Sequence, residues 1–280
     1  MSDKTRHVLV RTFLVLPLVI LMTCKGAEMS SVEPDPASQN IPKAAWRDLA
    51  QKKIYFGHMS VGFNILSGVR DLMKEEPGPD LKILGTSDPA DFGEPVFAHS
   101  PIGKNAYPLS KIDAFRQVLE SGVGAIADIA FFKLCYVDIH GGTDVEALAG
   151  AYDAMMRDMR EKFPGLTIVS VTAPLTVVPA GLKTTVKKIL GRGEPDKTAN
   201  AKREAFNAHL RETYGPLVFD LAALESTLPD GQRVTYEMDG RTYYALEPSY
   251  SDDGGHLNSA GRRIVAAGLL KFLAGLTPKT

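Results

Sequence analysis

One feature constrains this sequence above all others. From Lys43 almost to the C-terminus, short apolar runs alternate with longer amphipathic stretches. Lys53-Ile-Tyr-Phe56 reads as a strand, and Val61, Ile65, Leu66, Val69, Leu72 and Met73 then fall on one face of a helix. Leu81–Leu84 reads as a second strand. A loop bearing several Gly and Pro residues reaches Leu109, and a helix follows to about Ser121. Ala127–Leu134, Thr167–Val171 and Leu217–Asp220 supply three further strands. A helix over Asp144–Lys162 turns Val145, Leu148, Ala149, Tyr152, Met155, Met156 and Met159 inward, and methionines at that spacing read as core packing. Helices over Asn200–Tyr214 and from about Asn258, the latter burying Val265, Leu269, Phe272 and Leu273, complete the pattern. Such alternation implies right-handed crossovers and an α/β fold: a three-layer α/β/α sandwich around a mostly parallel five-stranded sheet. Sheets of this kind place their chemistry beyond the C-terminal strand ends.

Composition agrees with a single large domain. At 280 residues, 44% hydrophobic and 23% charged, the chain is neither disordered nor fibrous. A net charge of −1 gives no basic field to hold nucleic acid, and two cysteines exclude a disulfide scaffold or a Cys-rich zinc module.

The N-terminus reads separately. Lys4, Arg6 and Arg11 precede the apolar run Phe13–Met22, which is too short for the roughly 20 residues that span a bilayer but suits the core of a secretory signal. Leu21-Met22-Thr23-Cys24 is similar to a bacterial lipobox, with Thr23 where Gly, Ala or Ser is usual. The alternative is an ordinary signal cut near Ala27. The expected organisation is a signal over residues 1–23, a polar Ser- and Pro-rich tether over 24–42, and one folded domain over 43–280. The protein is then exported to the periplasm or cell envelope, with membrane contact through a lipid on Cys24. Cys135 is left without an obvious partner, against a structural disulfide. The cationic stretch Lys183, Lys187, Lys188 and Arg192 reads as a solvated helix face, or as an anion or lipid-headgroup contact.

Three strand ends carry residues with chemical potential. Ser60, in Gly57-His58-Met59-Ser60, lies where a strand turns into a helix; it fits either an N-cap or a hydroxyl projecting into the cleft. Near the C-terminus, Asp253 precedes His256 by three residues on a loop leading into a helix. That spacing lets the carboxylate hold one ring nitrogen and leaves the other free to take a proton, although a loop-stapling hydrogen bond reads the same way. His58 is expected to line the cleft, and Tyr136 to contact substrate. His209 is expected to face solvent and Cys135 to be a buried thiol. Asp138 and His140 with His58 and His99 match no compact metal-ligand spacing, so no metal is expected.

Together these segments resemble the SGNH (GDSL-like) hydrolase superfamily, in a divergent form. Asp253, His256, Leu257, Asn258 and Gly261 match the pattern D-x-x-H-L-N-x-x-G of the family's last motif block, and Ser60 occupies the place of its nucleophile after the first strand. The resemblance spans about residues 50–275 and implies a Ser60–His256–Asp253 triad. Gly103 and Asn105, in the loop after the second expected strand, correspond to the second block and are implied oxyanion donors. Gly-Asp-Ser is replaced by Gly57-His58-Met59-Ser60, and Lys133–Asp138 stands where the family carries Gly-x-Asn-Asp. The implied function is a cofactor-free exported serine esterase, acting on an ester such as an O-acetyl group of a polysaccharide. An acyltransferase with the same triad, or a non-catalytic glycan-binding envelope protein, are the alternatives.

Overall fold

A computed structural model describes residues 40–75, 81–179 and 195–276. The signal, most of the tether and the cationic stretch 183–192 lie outside the described residues.

Six strands, all parallel to their neighbours, form the central sheet in the order β2-β3-β1-β4-β5-β6. They are β1 (Lys53–His58), β2 (Ile83–Gly85), β3 (Val96–Pro101), β4 (Ile129–Phe132), β5 (Thr167–Val171) and β6 (Val218–Phe219). On one face lie α1 (Lys43–Leu49), α2 (Val61–Glu75), α6 (Leu221–Ser226) and α7 (Ser259–Ala274); on the other lie α3 (Pro108–Val118), α4 (Val145–Lys162) and α5 (Pro195–Tyr214). Successive strand residues point to opposite faces. Ile54 and Phe56 of β1 therefore enter one core, while Tyr55 enters the other. A strand buried on both faces reads as continuous apolar sequence, and for that reason β1, β4 and β5 are visible without the structure.

The three-layer α/β/α architecture is the expected one, but the sheet has six strands, not five. The additional strand, β3, pairs with β1 from Lys53↔Val96 to His58↔Pro101. Its apolar run is only Val96-Phe97-Ala98, closely flanked by Gly93, Pro95 and Pro101, so local composition reads as loop. Tertiary pairing overrides that bias. A hairpin, β7 (Thr235–Met238) and β8 (Arg241–Tyr244), is a further addition to the expected elements. Its turn is Asp239-Gly240, with φ of 52° and 72°, the backbone that a two-residue hairpin loop needs. Among the described residues, no helix is long and apolar enough to cross a membrane.

The strand order creates one crevice. β1 and β3 are neighbours, yet the chain leaves β1 through α2 on one face and leaves β3 through α3 on the other. Connections that diverge to opposite faces open a groove at the C-terminal ends of the two strands.

Candidate active site

Ser60 stands on that groove, two residues past the end of β1. Its φ is +52°, a left-handed backbone that side-chain-bearing residues rarely adopt. An N-cap residue has extended backbone and a side-chain oxygen that accepts from the helix's first N–H groups. Ser60 has neither. Its Oγ lies 2.6 Å from His256 Nε2, across 196 residues of sequence.

His256 is held from its other side by Asp253. Nδ1 is 2.7 Å from Asp253 Oδ2, while Asp253 Oδ1 accepts the backbone N–H groups of Gly255 and His256 at 2.9 and 2.8 Å. The His256 N–H, its imidazole and the Gly255 N–H hold the Asp253 carboxyl far below the usual carboxylate range. An ionised carboxylate can only accept, so Nδ1 carries the ring proton and Nε2 is the acceptor facing the Ser60 hydroxyl. Asp252 points elsewhere and accepts from Asn258 Nδ2 at 3.1 Å. Asn258 in turn caps α7, its Oδ1 accepting from Ala260 and Gly261 N–H.

The loop carrying His256 is tied to the rest of the groove. Leu257 N–H donates to Asn64 Oδ1 of α2 at 3.3 Å, and Val177 N–H donates to Gly254 O at 2.9 Å. Nothing in the sequence singles out Asn64, because a lone polar residue on a helix carries no signal of a partner so far along the chain. Tyr136 is half-buried with its ring edge-on to His256, its hydroxyl 3.4 Å from Nδ1. Burial and the Asp253 carboxylate raise its phenol above the ordinary range.

Gly103 sits two residues past the end of β3, as Ser60 does past β1, and His58 and Pro101 are register partners. Its φ of +58° and the Lys111 backbone N, 2.7 Å from where a Cβ would stand, both demand glycine. Among the described residues, no group accepts a hydrogen bond from the N–H of Ser60 or of Gly103. Asn105 Oδ1 accepts from Lys111 Nζ at 2.9 Å, which leaves the two Nδ2 hydrogens as its free donors. Lys111 is fully buried and forms an ion pair of 2.5 Å with the equally buried Asp138. Asp138 also accepts from the N–H groups of Cys135 and Ala106, so it staples the Asn105 loop to the end of β4.

His58 does not line the cleft. It is fully buried, with Nε2 3.1 Å from His99 Nδ1, and it packs against Phe56 and Phe63. Its side chain fills the space above Gly62, where any Cβ would come 2.4 Å from the His58 Cβ and 2.5 Å from the ring. The expected strand stops at Phe56, whereas β1 continues to His58, which takes its place in the pleat with Ile54 and Phe56 and so faces the core on the α2 side. Burial, then the nearby His99, Lys133 and Arg70, pushes His58 down to about 3, and burial with Arg70 lowers His99. Unfolded histidines take up protons below about pH 6.5, whereas His58 resists protonation until about 3. Stability from this pair is complete above pH 6.5 and is lost as pH falls towards 3. The Tm should fall across that window, with a shallower slope in His58→Gln; equal slopes would exclude His58 as the cause.

His209 is partly exposed to solvent, with Nε2 2.9 Å from Asp153 Oδ2. Cys135 is a buried free thiol. Among the described residues, no three His, Cys, Asp or Glu side chains are placed to hold a metal ion.

No family model and no curated protein matches the sequence. Several solved structures are similar to it. A lipase/acylhydrolase from Enterococcus faecalis is 13% identical, with a TM-score of 0.46 over 82% of this chain and 99% of that one. An acetyl xylan esterase is 18% identical, with a TM-score of 0.44 over 78% and 97% of the two chains. The chain is also similar to an SGNH-hydrolase candidate from Slackia heliotrinireducens, 17% identical, with a TM-score of 0.44 over 79% of this chain and 97% of that one.

Proposed function

We propose that the protein is a serine esterase that hydrolyses an acyl ester through Ser60, His256 and Asp253. The observation that carries this reading is the continuous chain from Asp253 Oδ2 through His256 to Ser60 Oγ, at 2.7 and 2.6 Å, ending on a serine with left-handed backbone. His256 Nε2 takes the hydroxyl proton as Ser60 Oγ attacks the ester carbonyl carbon. Asp253 stabilises the imidazolium that forms. The tetrahedral oxyanion is held by the Ser60 and Gly103 N–H groups with Asn105 Nδ2. Collapse breaks the ester C–O bond, and His256 gives its proton to the departing alcohol. Water then attacks the acyl-Ser60 carbonyl while His256 takes one of its protons; breaking the Ser60 ester frees the acid and returns the proton to Ser60 Oγ.

The site is open: the side chains of Asp253 and His256 are 57% and 42% exposed. That favours an ester displayed on a large molecule over a small enclosed one. Phe63 and Tyr107, exposed on the segments that carry Ser60 and Asn105, offer flat apolar faces on which a sugar ring can rest. An O-acetyl group on a polysaccharide fits both features. The test is hydrolysis of 4-nitrophenyl acetate by the purified protein beside its Ser60→Ala variant. Turnover that is absent, or that does not depend on Ser60, removes the reading.

The setting we propose is the periplasm or cell envelope, supported by the basic-then-apolar N-terminus and Cys24. The wild type should fractionate with membranes, and Cys24→Ser should release or misprocess it. A wholly soluble wild type with an N-terminus beyond Cys24 would refute the anchor.

A further inference from the structure

The peptide unit between Met59 and Ser60 joins the Met59 carbonyl to the Ser60 N–H. In a planar trans amide the two point in opposite directions, so whatever fixes the carbonyl also aims the N–H. Met59 O accepts the Gly62 N–H at 3.0 Å and the Cys135 thiol at 3.5 Å. The Cys135 sulfur itself accepts from Lys133 Nζ at 3.3 Å, and Lys133 also donates to Leu134 O at 3.3 Å. Both side chains are fully buried, and burial pushes the Lys133 amine below its usual range. The Cys135 backbone is anchored as well, its N–H donating to Asp138 Oδ2 at 2.6 Å. An unbroken chain of donors thus runs from the end of β4 to the back of the nucleophile's peptide.

We propose that Cys135, backed by Lys133, is a positioning residue for the oxyanion site: its thiol holds the Met59 carbonyl so that the Ser60 N–H faces the developing oxyanion. The inference rests on the esterase reading above. Two effects combine. The carbonyl's second hydrogen bond restricts rotation of the peptide plane at a strained residue, and a hydrogen bond accepted by an amide oxygen strengthens the same amide's N–H as a donor, by roughly 10–30%. A buried amine is costly to desolvate, and two apolar side chains would fill the same volume without that cost. Its placement beside the thiol is accounted for if the thiol must be held with its proton directed at Met59 O.

The experiment compares Cys135→Ala, Cys135→Ser and Lys133→Met on 4-nitrophenyl acetate. A second probe is inhibition by phenylboronic acid, whose tetrahedral adduct on Ser60 puts an oxygen where the oxyanion forms. Losing an oxyanion donor costs about 10²–10³ in kcat, so a donor that is present but misaimed should cost about tenfold. Cys135→Ala is expected to lose about that factor in kcat, with KM nearly unchanged and boronate affinity falling in parallel. Cys135→Ser keeps a donor and should stay near wild type. Lys133→Met should lose less than Cys135→Ala but in the same pattern, and it decides the matter if the alanine variant does not fold. Equal losses in the serine and alanine variants, or losses in KM alone, would overturn the positioning role while the esterase reading stood. A wild type without Ser60-dependent turnover fails at the first step, and the esterase reading falls with the inference.

Discussion

Ser60→Ala should abolish nearly all hydrolysis of a small acetyl ester while the protein keeps its fold. The expected loss in kcat is on the order of 10⁴–10⁶, the scale seen when a catalytic serine is removed from a hydrolase. Two observations set this expectation. Ser60 Oγ makes its hydrogen bond to His256 Nε2 at 2.6 Å and not to a helix N–H, so alanine does not uncap α2. The +52° backbone is as costly for alanine as for serine, so the substitution adds no new strain. What remains is one lost side-chain hydrogen bond at a half-buried position, about 1 kcal/mol. Steady-state kinetics and a thermal melt of the same preparation check both halves. A variant that unfolds points to a structural serine; one that folds and turns over normally removes Ser60 from the mechanism.

Asp253→Asn and Asp252→Asn should differ by several orders of magnitude in kcat, although the two residues are adjacent. Asp253 Oδ2 fixes the His256 tautomer by accepting from Nδ1 at 2.7 Å. An asparagine there can present its NH₂ instead, which favours the tautomer with the proton on Nε2 and leaves Ser60 without a base. In serine proteases the equivalent change costs about 10⁴ in kcat. The Asp253 side chain is more than half exposed, so the effect on stability should be small. Asp252 is bonded to Asn258 Nδ2 at 3.1 Å, at the foot of α7. An asparagine keeps an acceptor oxygen at that place, so Asp252→Asn should remain within a few fold of wild type. Measured side by side, a crippled Asp252 variant would move the orienting role by one residue, and two unimpaired variants would dissolve the triad.

Local patterning along the chain is enough to specify the layered α/β fold and the turn that joins Asp253 to His256. Period-2 and period-3.6 patterns record which face of each element is buried, and nearly continuous apolar runs mark strands buried on both faces. The three-residue separation of Asp253 and His256 is a short-range relation, and a turn lets it close on itself; the carboxylate also caps the N–H groups of Gly255 and His256. Other features depend on contacts between distant segments. Only pairing with β1 on one side and β2 on the other made a strand of Val96–Pro101, because neighbouring backbone supplied the hydrogen bonds that its Gly- and Pro-flanked sequence did not advertise. Only the continuation of β1 to His58 turned that side chain inward, into the space that Gly62 leaves, although it sits two residues from Ser60. Only the sheet order brought the loops after β1 and β3 together and placed Cys135 behind Met59. The physical reason is common to all three. Periodicity specifies burial, which is a property of one segment, whereas the pairing and surroundings of residues at and beyond a strand end depend on which distant segment closes over them.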